Sequence, residues 1–182
     1  MSYLDLARGR YSCREFQDRS VEQAVVDAIV EAGRIAPSAC NNHPSRVMVL
    51  DTPELLEKAA ACQPRFARDG SIFGAPLIFL ICSVTDDAWV RPYDQMNSSE
   101  IDTSIVCDQM MMEPPSRAWE RAGYAILSLR WHRSSSICPR ASIPITCSSV
   151  AILPTTSQTP SIASPHHSPL RLPPQVDFWD MP

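Results

Sequence analysis

The chain has 182 residues, 45% hydrophobic and 20% charged, with a formal net charge of −4. That length supports one domain with a hydrophobic core, and the acidic balance argues against a nucleic-acid partner, which calls for a basic face. The longest apolar run, Ala75 to Cys82, is too short to span a bilayer, and the opening MSYLDLARGR lacks the apolar stretch of a secretory signal. Seven cysteines without a C-x-x-C pair predict reduced thiols in a cytoplasmic protein, with no disulfide framework and no zinc site.

Taken in order, residues 2–9 predict a short helix. Ser20 reads as an N-cap, with Gln23 completing a capping box. Val21, Val25, Val26, Ile29, Val30 and Ala32 follow at helical spacing, so the pattern predicts an amphipathic helix over 21–35. Gly33 is a mild cost inside it, and Pro37 ends it. Arg46 to Leu50 reads as a buried strand. Thr52-Pro53-Glu54 starts a helix with proline at its first position, and Leu55, Leu56, Ala59 and Ala60 form its apolar face. Residues 63–74, polar and with two glycines, predict a loop. Pro76 to Ser83 (PLIFLICS) is the strongest strand signal, apolar on both faces and therefore central. A charged loop with Asp86, Asp87, Trp89, Arg91 and Asp94 leads to a helix over 101–112, with Asp102 in its first turn. This alternation predicts an α/β or α+β class.

The composition changes near Glu113. Residues 113–182 hold 11 of the 17 prolines, one glycine (Gly123) and four acidic residues. Arg133 to Ser136 and Pro154 to Pro169 follow neither helical nor strand periodicity. At face value this is a Pro/Ser-rich tail that cannot bury a core.

Two stretches carry chemistry. Arg10-Tyr11-Ser12-Cys13-Arg14-Glu15-Phe16 gathers two guanidinium groups and two hydroxyls, and the planar fork of arginine suits phosphate. Ala36-Pro37-Ser38-Ala39-Cys40-Asn41-Asn42-His43-Pro44 is a turn of small side chains and amide donors between a helix and a strand. Read alone, Arg10 and Arg14 equally fit surface salt bridges, which contribute little, and His43 equally fits a turn histidine satisfied by its neighbours.

Together the two stretches resemble the nitroreductase family of flavin enzymes, which carries an R-x-S-x-R/K-x-F phosphate clamp and then a P-S-x-x-N-x-Q/H-P turn. The resemblance covers residues 3–112. It implies an α+β fold of three layers, with a central mixed or antiparallel sheet flanked by helices, incomplete after residue 113. It also implies that Arg10, Tyr11, Ser12 and Arg14 hold the phosphate of FMN. Pro37, Ser38 and Ala39 would approach the flavin from the partner subunit, and Asn41 and His43 would bond its ring or ribityl region. Arg171 would add a phosphate contact. The implied protein is a homodimer with flavin at the interface. It takes electrons from NAD(P)H and passes them to a nitroaromatic, quinone or similar small acceptor in a ping-pong cycle. The flavin carries the chemistry, so no catalytic side chain and no metal are expected. Trp89, Arg91 and Asp94 match part of a substrate-side loop, with a solvated charged loop as the favoured reading. Cys13 and Cys40 read as packing residues, and His166-His167 carries no metal assignment.

Family segments of the types G-L-G-T-x-W, L-P-x-G and G-Y-P-A-D are absent after residue 113 as written. Read from the third base of each codon, residues 117–128 permit GLGTGWLCHFEP and Cys138 to Thr155 permits LPEGVDPDHLLVGGYPAD. Two ordered motifs in one consistent frame point to translation out of frame from about residue 114 to about 168. The close, Arg171 to Trp179, again matches the family's R-x-P-x-x-x-V-x-W ending. The expected organisation is an FMN-binding region over 1–112 and a mistranslated remainder of the same domain over 113–182. A sheet lacking those segments leaves strand edges and apolar surface uncovered, so weak flavin binding or a non-catalytic remnant is the alternative expectation.

Overall fold

The computed structural model describes residues 2–9, 14, 16, 20–113, 125–127 and 145–153, the last two stretches as backbone only. Helix α1 spans Tyr3–Gly9. Its start is tied by a reciprocal cap: the Ser2 N–H and hydroxyl donate to Asp5 Oδ2 at 2.9 and 2.8 Å, and Asp5 N–H donates to Ser2 Oγ at 3.2 Å. These bonds hold the Asp5 carboxyl below the usual carboxylate range.

Helix α2 spans Gln23–Arg34 rather than 21–35, and its cap residue is Glu22, in extended backbone and without a side-chain cap bond. The expected box between Ser20 and Gln23 does not form, because the helix begins two residues later. Gln23 instead bonds Asp27 one turn on, Nε2 to Oδ1 at 2.8 Å. Val26 and Ile29 of α2 are buried, with Val21, Val25 and Val30 packed partly against the same core.

Strand β1 spans Ser45–Leu50, α3 Pro53–Cys62 and β4 Leu77–Val84. Between α3 and β4 lies a two-stranded ribbon, β2 (Ala67–Arg68) against β3 (Ser71–Ile72). A loop was expected there; the two residues at its tip explain the difference. Asp69 and Gly70 both take positive φ, 49° and 75°, as a type I′ hairpin turn requires, and Asp-Gly is a favoured pair for it.

The main sheet has the order β1-β4-β6-β5, with β5 at Ala125–Leu127 and β6 at Ile145–Leu153. All three pairings are antiparallel. Among the described residues β1 is therefore an edge strand, and only Leu50 in it is buried, so the expectation of a buried strand is corrected to a half-buried one. All eight residues of β4 are buried, as expected of a central strand. Its alternate residues face opposite cores. Leu77, Phe79 and Ile81 meet α2 and α4, while Ile78, Leu80 and Cys82 meet α3, β3 and Phe16. The result is the three-layer α+β arrangement implied by the sequence.

One cysteine departs from the expectation of reduced thiols. Cys82, buried in β4, is disulfide-bonded. Spacing along the chain cannot reveal such a bond. Cys40 and Cys62 carry free thiols.

Helix α4 spans Ser99–Met112, two residues longer at its start than the pattern indicated. Asn97 accounts for the extension: its Oδ1 accepts the Ser99 N–H at 2.9 Å and its Nδ2 donates to Thr85 O at 3.0 Å. No helix among the described residues is long and apolar enough to cross a membrane.

Candidate functional site

The turn over 37–44 leaves α2 and enters β1. Ile35 and Ala36 close the helix through bonds to Glu31 O and Gly33 O. Ala36 and Pro44 are buried at the two ends, so the segment between is pinned at both sides. Ser38 is extended, and Ala39–Asn41 makes one tight turn. Cys40, Asn41 and His43 all lie in the left-handed region, with φ of 51°, 59° and 48°.

That conformation costs about 1–2 kcal/mol for an ordinary L residue and less for asparagine and histidine. It persists only where surrounding bonds over-determine it. Here the bonds are present. His43 N–H donates to Ser38 Oγ at 2.9 Å, and Arg46 Nη1 donates to the His43 and Ser45 carbonyls, each at 2.9 Å. Arg46 is held in turn by Asp87, Nη2 to Oδ2 at 2.9 Å. From below, Ala39 N–H donates to Asp102 Oδ1 at 2.8 Å.

The strained backbone presents Pro37, Cys40, Asn41, Asn42 and His43 to the surface, with Ser38 and Ala39 half-buried. Asn41 Oδ1 lies 2.8 Å from His43 Nε2. That contact engages Asn41 Oδ1 and His43 Nε2, so the Asn41 amide hydrogens and His43 Nδ1 remain the further hydrogen-bonding groups of two exposed side chains. Of the expected phosphate clamp, Arg14 is exposed and Phe16 half-buried. Phe16 packs against the core under α3, so Arg14 is carried at the surface two residues before an anchored ring. Among the described residues Arg14 has no ion-pair partner. Arg10, Tyr11, Ser12, Cys13, the His166-His167 pair and Arg171 lie outside the described residues.

Apart from Asp87, which meets Arg46, the loop over 86–97 is braced largely by bonds near its own residues. Arg91 donates to both oxygens of Asp94, at 2.8 and 2.6 Å, and its guanidinium lies 4.9 Å from the Tyr93 ring centroid. A bridge joins Val90 to Asn97. Trp89 is half-buried and its carbonyl accepts the Ser98 N–H. These bonds lie within the loop, as a solvated charged loop would have them.

A separate cavity of about 430 Å³ opens under Phe16, Leu56 and Phe73 beside the β2–β3 tip. It does not include the 37–44 turn. The residue that sequence reasoning missed is Asp102. Its place in the first turn of α4 was legible, but no local signal shows that its carboxylate meets a backbone amide 63 residues earlier.

A model of the nitroreductase family matches residues 7–66. Over 82 residues, 45% of this chain, the sequence is 32% identical to a protein of Methanothermobacter thermautotrophicus described as an NADH dehydrogenase/NAD(P)H nitroreductase. The matched stretch spans 41% of that curated relative. A nitroreductase family protein from Clostridium difficile 630 shares the fold with a TM-score of 0.74 at 30% identity, over 95% of this chain and 94% of that one. A nitroreductase with bound FMN from Desulfitobacterium hafniense DCB-2 shares it with a TM-score of 0.64 at 21% identity, over 88% and 92%.

Proposed function

The chain belongs to the nitroreductase family, and from that premise we propose that it is an FMN-dependent oxidoreductase passing electrons from NAD(P)H to a nitroaromatic, quinone or similar small acceptor. The observation that carries this reading is the 37–44 turn, exposed, strained and held by hydrogen bonds from several sides. Its residues fit a flavin chemically: an exposed amide and an imidazole nitrogen for a polar ring edge, and at Arg14 an exposed guanidinium for a phosphate. FMN, when bound, supplies the electron-transfer chemistry itself.

The chain's own residues bind and orient. Arg14, with Arg10, Tyr11 and Ser12, holds the phosphate, and Arg171 adds to it. Asn41 and His43 bond the ring or ribityl region, while Pro37, Ser38 and Ala39 give a small-residue surface for close approach. An exposed turn of this kind needs a second wall, which a homodimer with flavin at its interface provides. A small acceptor then takes the electrons in a ping-pong cycle.

Purified protein titrated with FMN tests the proposal. Stoichiometric binding with a flavin visible spectrum, weakened about tenfold or more by Arg14→Ala, is the expected result, since a bond to a charged group is worth about 1.5–3 kcal/mol. Protein that takes up no FMN overturns it.

The composition of residues 113–182 favours a second reading, a frame-shifted and non-catalytic remnant of such an enzyme, with the FMN-binding region ending near residue 112. Strand β6 lies within the stretch 138–155 whose alternative frame permits family segments. The nucleotide sequence across codons 110–170 is expected to spell GLGT and GYPAD motifs in the shifted frame. Codons incompatible with both sink this reading.

A further inference from the structure

Asp102 is 1% exposed, and its carboxylate is fully engaged without a cation. Oδ1 accepts the Ala39 N–H at 2.8 Å and Oδ2 accepts the Ser98 hydroxyl at 2.7 Å. Among the described residues no lysine, arginine or histidine pairs with it. Burial of an unpaired carboxylate is costly, and a helix needs no such group for packing. Its place in the first turn of α4, where free N–H groups favour negative charge, lowers that cost. The hydroxyl of Ser98 and the amide of Ala39 lower it further. What the carboxylate gains is a fixed distance between α4 and the start of the strained turn.

We infer that Asp102 is the positioning residue of the cofactor turn. It sets the Ala39 amide and, through it, the left-handed run that displays Asn41 and His43. The inference rests on the proposal that this turn meets FMN. Ala39 is the first residue of the tight turn, and the three positive-φ residues follow within four positions. Ser38 Oγ and Arg46 hold the far end of the turn at His43. Among the described residues, Asp102 alone reaches its near end from another element by a side-chain bond. With Asp102 removed, the near end is free to relax toward ordinary φ, and the Asn41–His43 pair loses its fixed presentation.

Two variants and two readouts test this. Asp102→Ala removes both acceptors. Asp102→Asn keeps Oδ1 for the Ala39 N–H and lets its amide donate to Ser98 Oγ. Residue-resolved hydrogen exchange reads the turn without any ligand, and FMN titration reads its consequence. In the alanine variant, exchange at residues 39–43 is expected to rise about tenfold while β4 amides are unchanged, and FMN affinity to fall about tenfold. The asparagine variant is expected to restore both. If the alanine variant does not fold, the wild-type Ala39 amide decides: slow exchange supports the tether, and exchange at the unprotected rate overturns it. Unchanged exchange at 39–43 in Asp102→Ala overturns the inference, as does faster exchange with wild-type FMN affinity. A wild-type protein that binds no FMN overturns the proposed function instead, while the exchange measurement still decides whether Asp102 sets the turn.

Discussion

Asp94 meets Arg91 through both carboxylate oxygens, and that pairing holds its carboxyl below the ordinary 3.8. A group whose folded pKa is depressed stabilises the fold above its unfolded pKa, and that contribution is lost as pH falls through the folded value. Both side chains are solvent-accessible, so the effect on stability is small. The expected result is local: carboxyl-carbon NMR finds Asp94 titrating below the usual range, and Arg91→Ala returns it upward toward 3.8. An unmoved midpoint in that variant removes the pairing. At this scale the sequence was most legible where partners are near neighbours. Arg91 and Asp94 are three apart, and Asn41 and His43 two apart. Asp102 and Ala39 are not neighbours, and only the fold brings them together.

Between elements, α2 and α4 approach each other closely at Gly33. Gly33 is buried, and a Cβ built on it would stand 2.9 Å from both Cγ and Sδ of Met110 and 3.3 Å from Val106 Cγ1. Helix propensity alone says that Gly33→Ala stabilises by about 1 kcal/mol. Overpacking of a filled core costs about 1–3 kcal/mol, and Met110 is completely buried, so it must repack within the core to admit a methyl group. The packing cost wins. Urea unfolding of Gly33→Ala is expected to show a loss of about 1 kcal/mol, and a midpoint higher than wild type would contradict that account. The sequence marked Gly33 as a cost to the helix, which is true of the isolated element. Only the neighbouring helix shows what the cost purchases. The Ser20–Gln23 box failed for a related reason. Its spacing is right, but α2 starts at Gln23, where packing of its apolar stripe begins.

For the whole molecule, β4 is the common wall of two cores. Its odd residues face α2 and α4, and its even ones face α3, β3 and Phe16. That role was written in an uninterrupted apolar run, because a strand covered on both faces needs no polar alternation. The helices α2, α3 and α4 were equally readable from their periodicity; their alternation with strands indicated an α/β or α+β class, and the three layers were implied by the family resemblance. The 37–44 turn was readable as a site because its residue types match a family motif. Its mechanics were not. Left-handed φ at Cys40, Asn41 and His43, the edge position of β1, the disulfide at Cys82 and the buried carboxylate under Ala39 all depend on contacts between residues far apart in the chain. Periodicity and capping are local, so the sequence by itself determined which segments form and which faces they bury. Register and long-range hydrogen bonds exist only once those faces have met, so only the tertiary structure decided how the turn between α2 and β1 is held.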